Sequence, residues 1–210
     1  MTTCERICIF FPALTFLIPI IVANIAEAVF YGLNVLWIGA AISLTSVYLN
    51  MQNQVSYIDA LSDLFTRQYM IACLLPELKK PQASKRMVGI MLDINKFKSI
   101  NDSFGHLVGD DAIRSAGRIL QIATPRGAKA YRFGGDEFVL IQMVKNEQEA
   151  LDTVERIRAT ALSFNGKGIR PYRLGFSIGY TIFDYGKDDL DTFLGRMDQA
   201  MYMEKKKRKE

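Results

Sequence analysis

The sequence predicts a sheet domain of the α/β or α+β class, about 150 residues long, behind two apolar N-terminal helices. Two observations indicate the domain. Helix-like and strand-like patterns alternate after Ile58, and a Gly-Gly pair divides two strand-like runs within 131–141. A third observation indicates the helices, because the first 58 residues are almost free of charge. A chain of 210 residues has room for both parts.

Two uncharged apolar segments fill the N-terminal region. Residues 7–26 contain no charged side chain, and residues 28–58 contain none either. An apolar run of about 20 residues has the length that a helix needs to cross a bilayer. We therefore expect two transmembrane helices, at about 7–26 and 29–49, within a first region of residues 1–50.

A cleavable signal peptide is the alternative for the first segment. Ala26-Glu27-Ala28 has the form of a small-residue cleavage site. The apolar run is longer than the usual core of a signal peptide, and only Arg6, offset by Glu5, precedes it. The pattern favours two spans.

The distribution of charge predicts the orientation of these spans. Residues 1–56 carry only Glu5, Arg6 and Glu27, whereas the whole chain has a net charge of +4. The excess of Lys and Arg therefore lies in 57–210, and segments rich in these residues stay in the cytoplasm. We expect a multi-pass protein of the inner (cytoplasmic) membrane with its sheet domain in the cytoplasm.

An apolar heptad pattern connects the second span with the sheet domain. Its members recur at alternating steps of four and three, which is the spacing of a coiled-coil seam. They are Trp37, Ala41, Leu44, Tyr48, Met51, Val55 and Ile58. Chance matches are common inside an apolar span, so the positions beyond it carry more weight. We expect a coiled-coil-like linker helix at 46–60 that pairs two copies of the chain as a homodimer.

Alternating patterns beyond Ile58 predict the elements of a domain at 57–210. Apolar residues at helical spacing predict four helices, and short apolar runs predict four strands, two of them in a hairpin. In chain order these are helix 60–80, strand 87–94, helix 107–123, strands 128–133 and 138–143, helix 147–163, strand 172–183 and helix 189–206.

The tip of the predicted hairpin lies in the segment YRFGGDEFVLI at 131–141. Gly134 and Gly135 permit a tight turn and let a ligand approach the backbone closely. Asp136 and Glu137 follow at once and, on extended backbone, point to opposite sides. A solvated turn with two incidental acids is the alternative, because turns favour these residue types.

A second acidic position strengthens the functional interpretation. The strand MVGIMLD ends at Asp93, and open sheets hold ligands at the ends of their strands. If this strand lies beside the hairpin, Asp93 and Asp136 can share one divalent cation. Mg²⁺ prefers one or two carboxylates together with substrate phosphates, so the pair predicts a magnesium site for a phosphorylated substrate.

The segment after Asp93 offers groups that suit a nucleotide. Lys96 and Lys98 bring positive charge, and the loop amides can surround a phosphate chain. Asp110 can accept hydrogen bonds from guanine N1–H and the exocyclic amine, and Asn101 can serve the other base edge. Helix capping and turn formation are the alternative roles for these polar residues.

Taken together, these segments resemble the GGDEF domain of the diguanylate cyclase family. The resemblance covers 59–209 and keeps the order and spacing of the family. It rests on DALSDLFTR (59–67), DINKFKSINDSFGHLVGD (93–110), RFGGDEF (132–138), FSIGYT (176–181) and MDQAMYMEK (197–205). It implies a nucleotidyl-cyclase-like α/β (α+β) domain whose central, mainly antiparallel sheet is flanked by helices. It also implies a homodimer that joins two GTP into cyclic di-GMP and releases two pyrophosphates.

The resemblance assigns the chemistry to particular residues. It implies that the carboxylates of Asp93 and Asp136 and the main-chain carbonyl of Ile94 bind Mg²⁺ or Mn²⁺. Asp136, Glu137 and Lys98 are the implied catalytic residues. Glu137 would bind metal or accept a proton, and Lys98 would stabilise charge on the transferred phosphate.

The resemblance also assigns the substrate contacts. Asn101 and Asp110 match the residues that bind guanine, and Lys205 matches a phosphate contact. The amides near Lys96 and Phe97 would bind the β- and γ-phosphates of GTP. No nucleic-acid partner is implied.

The sequence departs from the family pattern at several positions. Asn95 stands where an acid is usual, which removes one negative charge near the site. Ser62, Asp63 and Thr66 replace the commoner Thr, Gly and Asn of the first motif. Residues 112–135 contain no Asp or Glu, so the Arg-x-x-Asp site for product inhibition that many members carry is not expected here.

Asn95 keeps a second function open. A domain with little or no activity would bind GTP without cyclising it and would act as a sensor or interaction module. The retained Asp93, Asp136 and Glu137 favour the active enzyme. A cyclase that forms a cyclic mononucleotide and a membrane dimer that only recruits a partner are further alternatives.

Overall fold

The chain forms two compact units, Met1–Ser56 and Tyr57–Glu210. The structure is a computed structural model. It describes residues 17–30, 35–52, 57–79, 86–166 and 168–207.

The first unit contains two helices among its described residues. Helix α1 occupies 17–29 and helix α2 spans Leu36–Gln52. The 17 residues of α2 correspond to about 26 Å at about 1.5 Å per residue, less than the ~30 Å hydrocarbon core of a bilayer. Across the described ranges, no helix is both long and apolar enough to span a membrane.

That finding contradicts the predicted multi-pass placement in the inner membrane. The first expected span, 7–26, is described only from residue 17 onwards, and its helix continues to residue 29. The second expected span, 29–49, is replaced by a helix that begins seven residues later, at Leu36.

The linker helix predicted at 46–60 does not reach Ile58. Helix α2 ends at Gln52, and Ile58 forms an isolated antiparallel bridge with Phe65. Val55 lies outside the described residues, as does the side chain of Met51. Pairing of two copies through the heptad seam therefore stays a prediction.

The second unit alternates helices and strands around one sheet. Its helices are α3 (Arg67–Leu78), α4 (Phe97–Phe104), α5 (His106–Ala123), α6 (Glu147–Gly166) and α7 (Leu190–Lys207). Its strands are β1 (Phe65–Thr66), β2 (Arg86–Ile94), β3 (Lys129–Gly134), β4 (Glu137–Val144) and β5 (Phe176–Ile182). The five strands lie in the order β1-β3-β4-β2-β5. Of the four strand pairs in the described residues, β1–β3 is parallel and the other three are antiparallel, so the expectation of a mainly antiparallel sheet is confirmed.

Strand β2 is buried on both faces because helices cover the sheet on both sides. Alternate residues of a strand face opposite ways. Ile90 and Leu92 join a core that includes α5 and α6. Met87 and Met91 join a second core that includes α3 and α7. A strand covered in this way needs apolar residues at nearly every position, which explains the uninterrupted run in the sequence.

Helices α3 and α4 differ from the elements that the sequence predicted. The helix expected at 60–80 begins only at Arg67, because the hydroxyl of Thr66 caps it by accepting from the Tyr69 amide at 3.4 Å. The residues before it form a turn in which Asp63 adopts a left-handed φ of 55°, a conformation that Asp tolerates better than most residues. Helix α4 was not predicted at all.

Candidate active site

Antiparallel pairing of β2 and β4 brings the two acidic segments together. Asp93, near the end of β2, lies opposite Glu137, the first residue of β4. The Ile94 amide donates to the Asp136 carbonyl at 3.2 Å, which ties the two segments beyond the ladder. The predicted proximity of Asp93 and Asp136 therefore follows from the register of two neighbouring strands.

The hairpin tip bends sharply before the two acids. The register between β3 and β4 shifts at Arg132–Gly134, which marks a bulge. Gly135 has a φ of 44°, a left-handed conformation that glycine adopts without a side-chain penalty. Asp136 and Glu137 are half-buried, so the turn holds them against the end of the sheet.

The two acids at the tip lie in an environment that opposes their ionisation. Burial raises the pKa of the Asp136 carboxyl, and the negative charge of Asp93 raises it further. Burial also raises the pKa of Glu137, and repulsion from Asp93, Asp136 and Asp198 adds to it. Lys205 opposes both shifts without cancelling them. Burial and the repulsion among these acids thus outweigh the nearby positive charge in their effect on both pKa values.

Lys205 provides the principal positive charge at Asp93. Its Nζ lies 2.7 Å from Oδ1 and 2.8 Å from Oδ2 of Asp93. The Asp93 side chain is only 7% exposed, and buried acidic side chains in proteins are usually paired with a group of opposite charge. The resemblance predicts that Lys205 contacts phosphate. In the structure it extends from α7 to the acidic cluster, which consists of Asp93, Asp136 and Glu137.

The donors at the tip fit a divalent cation that also binds substrate. In the described part of the chain, no three His, Cys, Asp or Glu side chains group closely enough to hold a metal ion. The available oxygens are those of two carboxylates, on Asp93 and Asp136, and of the Ile94 carbonyl. Mg²⁺ usually takes few protein carboxylates and completes its shell with water and phosphate, so this set suits it.

The backbone after Asp93 turns abruptly into α4. Lys96 adopts the left-handed conformation, with φ 56° and ψ 30°, at the cap position before Phe97. The main-chain amide of Asn95 donates to the Gly175 carbonyl at 2.9 Å. The side-chain Oδ1 of Asn95 accepts from the Ser177 hydroxyl at 2.7 Å. Asn95 thus fixes this turn through contacts that need no negative charge, so the substitution of the usual acid leaves the local geometry supported.

The predicted guanine-binding residues lie on two packed helices. Asn101 is on α4 and Asp110 is on α5, and both are half-buried. A Cβ at Gly109 would lie 1.9 Å from the Asn101 Oδ1, so glycine is required for the Asn101 side chain to lie across α5. Lys98 is exposed on α4, and within the described residues no hydrogen bond joins Lys98 or Asp110 to the acidic cluster.

Arg132 connects the hairpin tip with the start of the domain, a role that the sequence reasoning missed. Its Nη1 donates to Asp59 at 2.9 Å, while Nε and Nη2 donate to the Gly135 carbonyl at 3.1 and 2.9 Å. The amide and hydroxyl of Ser62 also donate to Asp59, both at 2.8 Å. The signal was present, since Arg132 and Asp59 stand in two of the segments that carry the resemblance.

Comparison with known proteins agrees with this geometry. The family model described as "Diguanylate cyclase, GGDEF domain" matches residues 56–210. The chain is 33% identical over 150 residues to diguanylate cyclase VdcA of Vibrio cholerae, which covers 69% of this chain and 42% of the relative. It is 30% identical over 155 residues to diguanylate cyclase DosC of Escherichia coli K12, covering 71% of this chain and 33% of the relative. The chain therefore spans less than half the length of these curated relatives.

A solved structure shows the same fold. The crystal structure of a sensory box/GGDEF family protein from Caulobacter crescentus superposes with a TM-score of 0.63 at 26% identity. The match covers 72% of this chain and 99% of that one. With the family model matching well over half of its residues, this chain belongs to the GGDEF diguanylate cyclase family.

Proposed function

We propose that this chain is a diguanylate cyclase that joins two GTP into cyclic di-GMP and releases two pyrophosphates. The observation that carries the proposal is the meeting of Asp93, Asp136 and Glu137 at the ends of paired strands, with Lys205 beside them. The names of the two curated relatives support the same reaction.

Separate parts of the domain would hold the substrate. Asn101 and Asp110, on the paired helices α4 and α5, would bind the guanine edge. The turn into α4 presents the amides of Lys96 and Phe97 at a left-handed bend, an arrangement that suits phosphate oxygens. Lys98 and Lys205 would add positive charge to that end of the nucleotide.

Asp93 and Asp136 would hold Mg²⁺ or Mn²⁺ together with the carbonyl of Ile94. When bound, the cation would polarise the phosphate and lower the pKa of the attacking hydroxyl. The raised pKa values of Asp136 and Glu137 support this assignment, because a cation there would relieve the repulsion among the acids.

Glu137 would accept the proton of the attacking 3′-hydroxyl. The 3′-oxygen forms a bond to the α-phosphorus of the second GTP, and the bond from that phosphorus to the departing pyrophosphate breaks. The half-buried position of Glu137, directly after Asp136 at the hairpin tip, supports this role.

The reaction would need two copies of the chain. Because each domain would hold one GTP, the nucleophile and the α-phosphorus would come from different domains. Helix α2 supports pairing, because Trp37, Leu44 and Tyr48 on its heptad seam are 75%, 65% and 60% exposed.

Product inhibition through an Arg-x-x-Asp site is not expected. The corresponding stretch, 125–128, reads PRGA, and 112–135 hold no acid that could complete the motif. We expect cyclic di-GMP added at the start of the reaction to leave the initial rate unchanged.

The proposal is tested by incubating the purified chain with GTP and Mg²⁺ and separating the nucleotides by chromatography. Cyclic di-GMP should form with the wild type and with Asp152→Ala, which removes an exposed acid from α6, but not with Asp136→Ala. A cyclic mononucleotide would indicate a different cyclase. GTP binding without product by a confirmed dimer would refute the enzyme and indicate the sensor.

A further inference from the structure

The last helix approaches the edge of the sheet without an intervening side chain. A Cβ at Gly179 of β5 would lie 2.0 Å from the Met201 amide nitrogen of α7. Glycine at this position is therefore required for α7 to lie directly on β5. The helix continues from Met201 for about one and a half turns to Lys207, and this end of α7 carries Glu204 and Lys205.

Glu204 binds the open edge of β5. Among the described strands, β5 is the last one of the sheet, so its amides that do not face β2 have no strand partner there. The Ile178 amide donates to Oε2 of Glu204 at 2.5 Å. Arg158 of α6 donates through Nη2 to Oε1 of the same carboxylate at 2.8 Å. The Glu204 side chain, 22% exposed, thus joins α7 to a strand and to a second helix.

The neighbouring side chain, Lys205, reaches the acidic cluster. Its ammonium contacts both oxygens of Asp93. Asp93 lies opposite Ser177 in the β2–β5 ladder, and Leu92 lies opposite Ile178. Glu204 and Lys205 therefore bind consecutive rungs of the same ladder, one at its outer edge and the other at Asp93.

We propose that Glu204 is a positioning residue that fixes Lys205 beside Asp93. A helix end frays unless contacts hold it, and a lysine side chain has four rotatable bonds and much rotamer entropy. Glu204 prevents the end of α7 from fraying, because it binds the Ile178 amide and the Arg158 side chain. The Lys205 side chain then extends from a fixed backbone position, which limits the directions that its ammonium can take. This inference rests on the proposed function where activity is measured.

The same helix supplies a matched control at its other end. Arg196 binds Asp188, the Thr181 hydroxyl and the Ile182 carbonyl, so it also joins α7 to β5. It precedes Lys205 by nine residues, or about 14 Å along the helix. Arg196→Ala should destabilise the docking of α7 without changing the position of Lys205.

The test compares Glu204→Ala and Arg196→Ala in the full chain. For each we would measure kcat and KM with GTP and Mg²⁺, the Kd of a non-hydrolysable GTP analogue, and the unfolding midpoint Tm. We expect both variants to lower Tm. Glu204→Ala alone should lower kcat/KM by about ten- to a hundredfold and weaken analogue binding, because small displacements of a charged group are costly. Equal kinetic losses in the two variants would overturn the proposal.

A double-mutant cycle with Lys205→Ala separates positioning from stability. If Glu204 acts through Lys205, its removal should change neither kcat/KM nor the analogue Kd further once Lys205 is absent. If the loss in the double variant equals the product of the two single-variant losses, the proposal is refuted. Glu204→Gln, which can still accept from Ile178, should recover part of the loss and replaces Glu204→Ala in the cycle if the alanine variant does not fold. If the wild type makes no product, the proposed function fails, and the analogue Kd values still decide the role of Glu204.

Discussion

Two carboxylates near the hairpin tip, Asp59 and Asp136, lie in opposite electrostatic environments. Burial alone would raise the pKa of Asp59, but hydrogen bonds from Ser62 and Arg132 and the charge of Arg132 hold that pKa below its usual value. At Asp136, burial and the charge of Asp93 raise the pKa, and the opposing cations are too few to lower it.

We propose that the difference separates a structural acid, Asp59, from a functional one, Asp136. Donors of the protein itself satisfy Asp59, whose ion pair with Arg132 stabilises the fold. Asp136 and its neighbour Asp93 share one lysine, Lys205, which contacts only Asp93 among them. Residues held in an unfavourable electrostatic state are typical of functional sites, so we assign the ligand-binding role to the second group.

The largest expected effect is the loss of activity on neutralising the functional acid. Asp136→Asn should lower cyclic di-GMP formation by at least about a hundredfold, because it removes a charged oxygen from the cation site. Asp59→Asn should keep most of the activity at a temperature where it is folded. The test is the initial rate of cyclic di-GMP formation, measured by chromatography. Equal losses of activity in the two variants would contradict the assignment of different roles to Asp136 and Asp59.

The next effect is on stability and concerns Arg132, which links Asp59 with the hairpin tip. Arg132→Ala removes the bonds to Asp59 and to the Gly135 carbonyl, so the free energy of unfolding should fall by about 2 kcal/mol. Arg118→Ala, at an exposed position on α5, is the matched control and should change it by less than about 0.5 kcal/mol. Urea titration measures both. A loss no larger than that of the control would mean that Arg132 does not support the tip.

The contribution of Asp59 should depend on pH in a defined direction. Because the folded pKa of Asp59 lies below its unfolded value of about 3.9, its stabilising effect is fully present above that unfolded value. It is lost as the pH falls through the folded pKa. Wild type should therefore be more stable than Asp59→Asn at neutral pH, and the difference should shrink below about pH 4. Urea titrations at several pH values test this, and a difference that grows in acid would be inconsistent with the ion pair.

The smallest effect has the opposite sign. The pKa of Asp136 is raised on folding, so its contribution to stability is greatest below the unfolded value and declines as the pH rises through the folded pKa. Without added metal, Asp136→Asn should be more stable than the wild type at neutral pH, by less than about 1 kcal/mol after solvent screening. The gain should disappear in acid. If Asp136→Asn is less stable than the wild type at neutral pH, the surroundings of Asp136 do not destabilise its ionised form.

Local patterns predicted the strands that build the site. The runs from Met87 to Leu92 and from Phe138 to Ile141 are apolar on both faces because helices cover both sides of the sheet. The Gly-Gly pair marks the hairpin, and the register then follows from that turn. The sequence made the shared cation site conditional on 87–94 lying beside the hairpin, and the ladder between β2 and β4 meets that condition.

Contacts between distant segments could not be predicted in the same way. Helix α4 is only eight residues long, too short for a clear periodic signal. The hydrogen bonds from Arg132 to Asp59 and from the Ile178 amide to Glu204 join residues that are 73 and 26 positions apart. No local pattern encodes such contacts, because they depend on how helices pack on the finished sheet.

The most direct test of the division between the two acids is the Mg²⁺ dependence of nucleotide binding. The affinity for a non-hydrolysable GTP analogue would be measured by titration calorimetry over a range of Mg²⁺ concentrations. We predict that affinity rises with Mg²⁺ for the wild type and for Asp59→Asn, and that Asp136→Asn shows little response. An unchanged Mg²⁺ response in Asp136→Asn would contradict the assignment of the hairpin tip as the cation site.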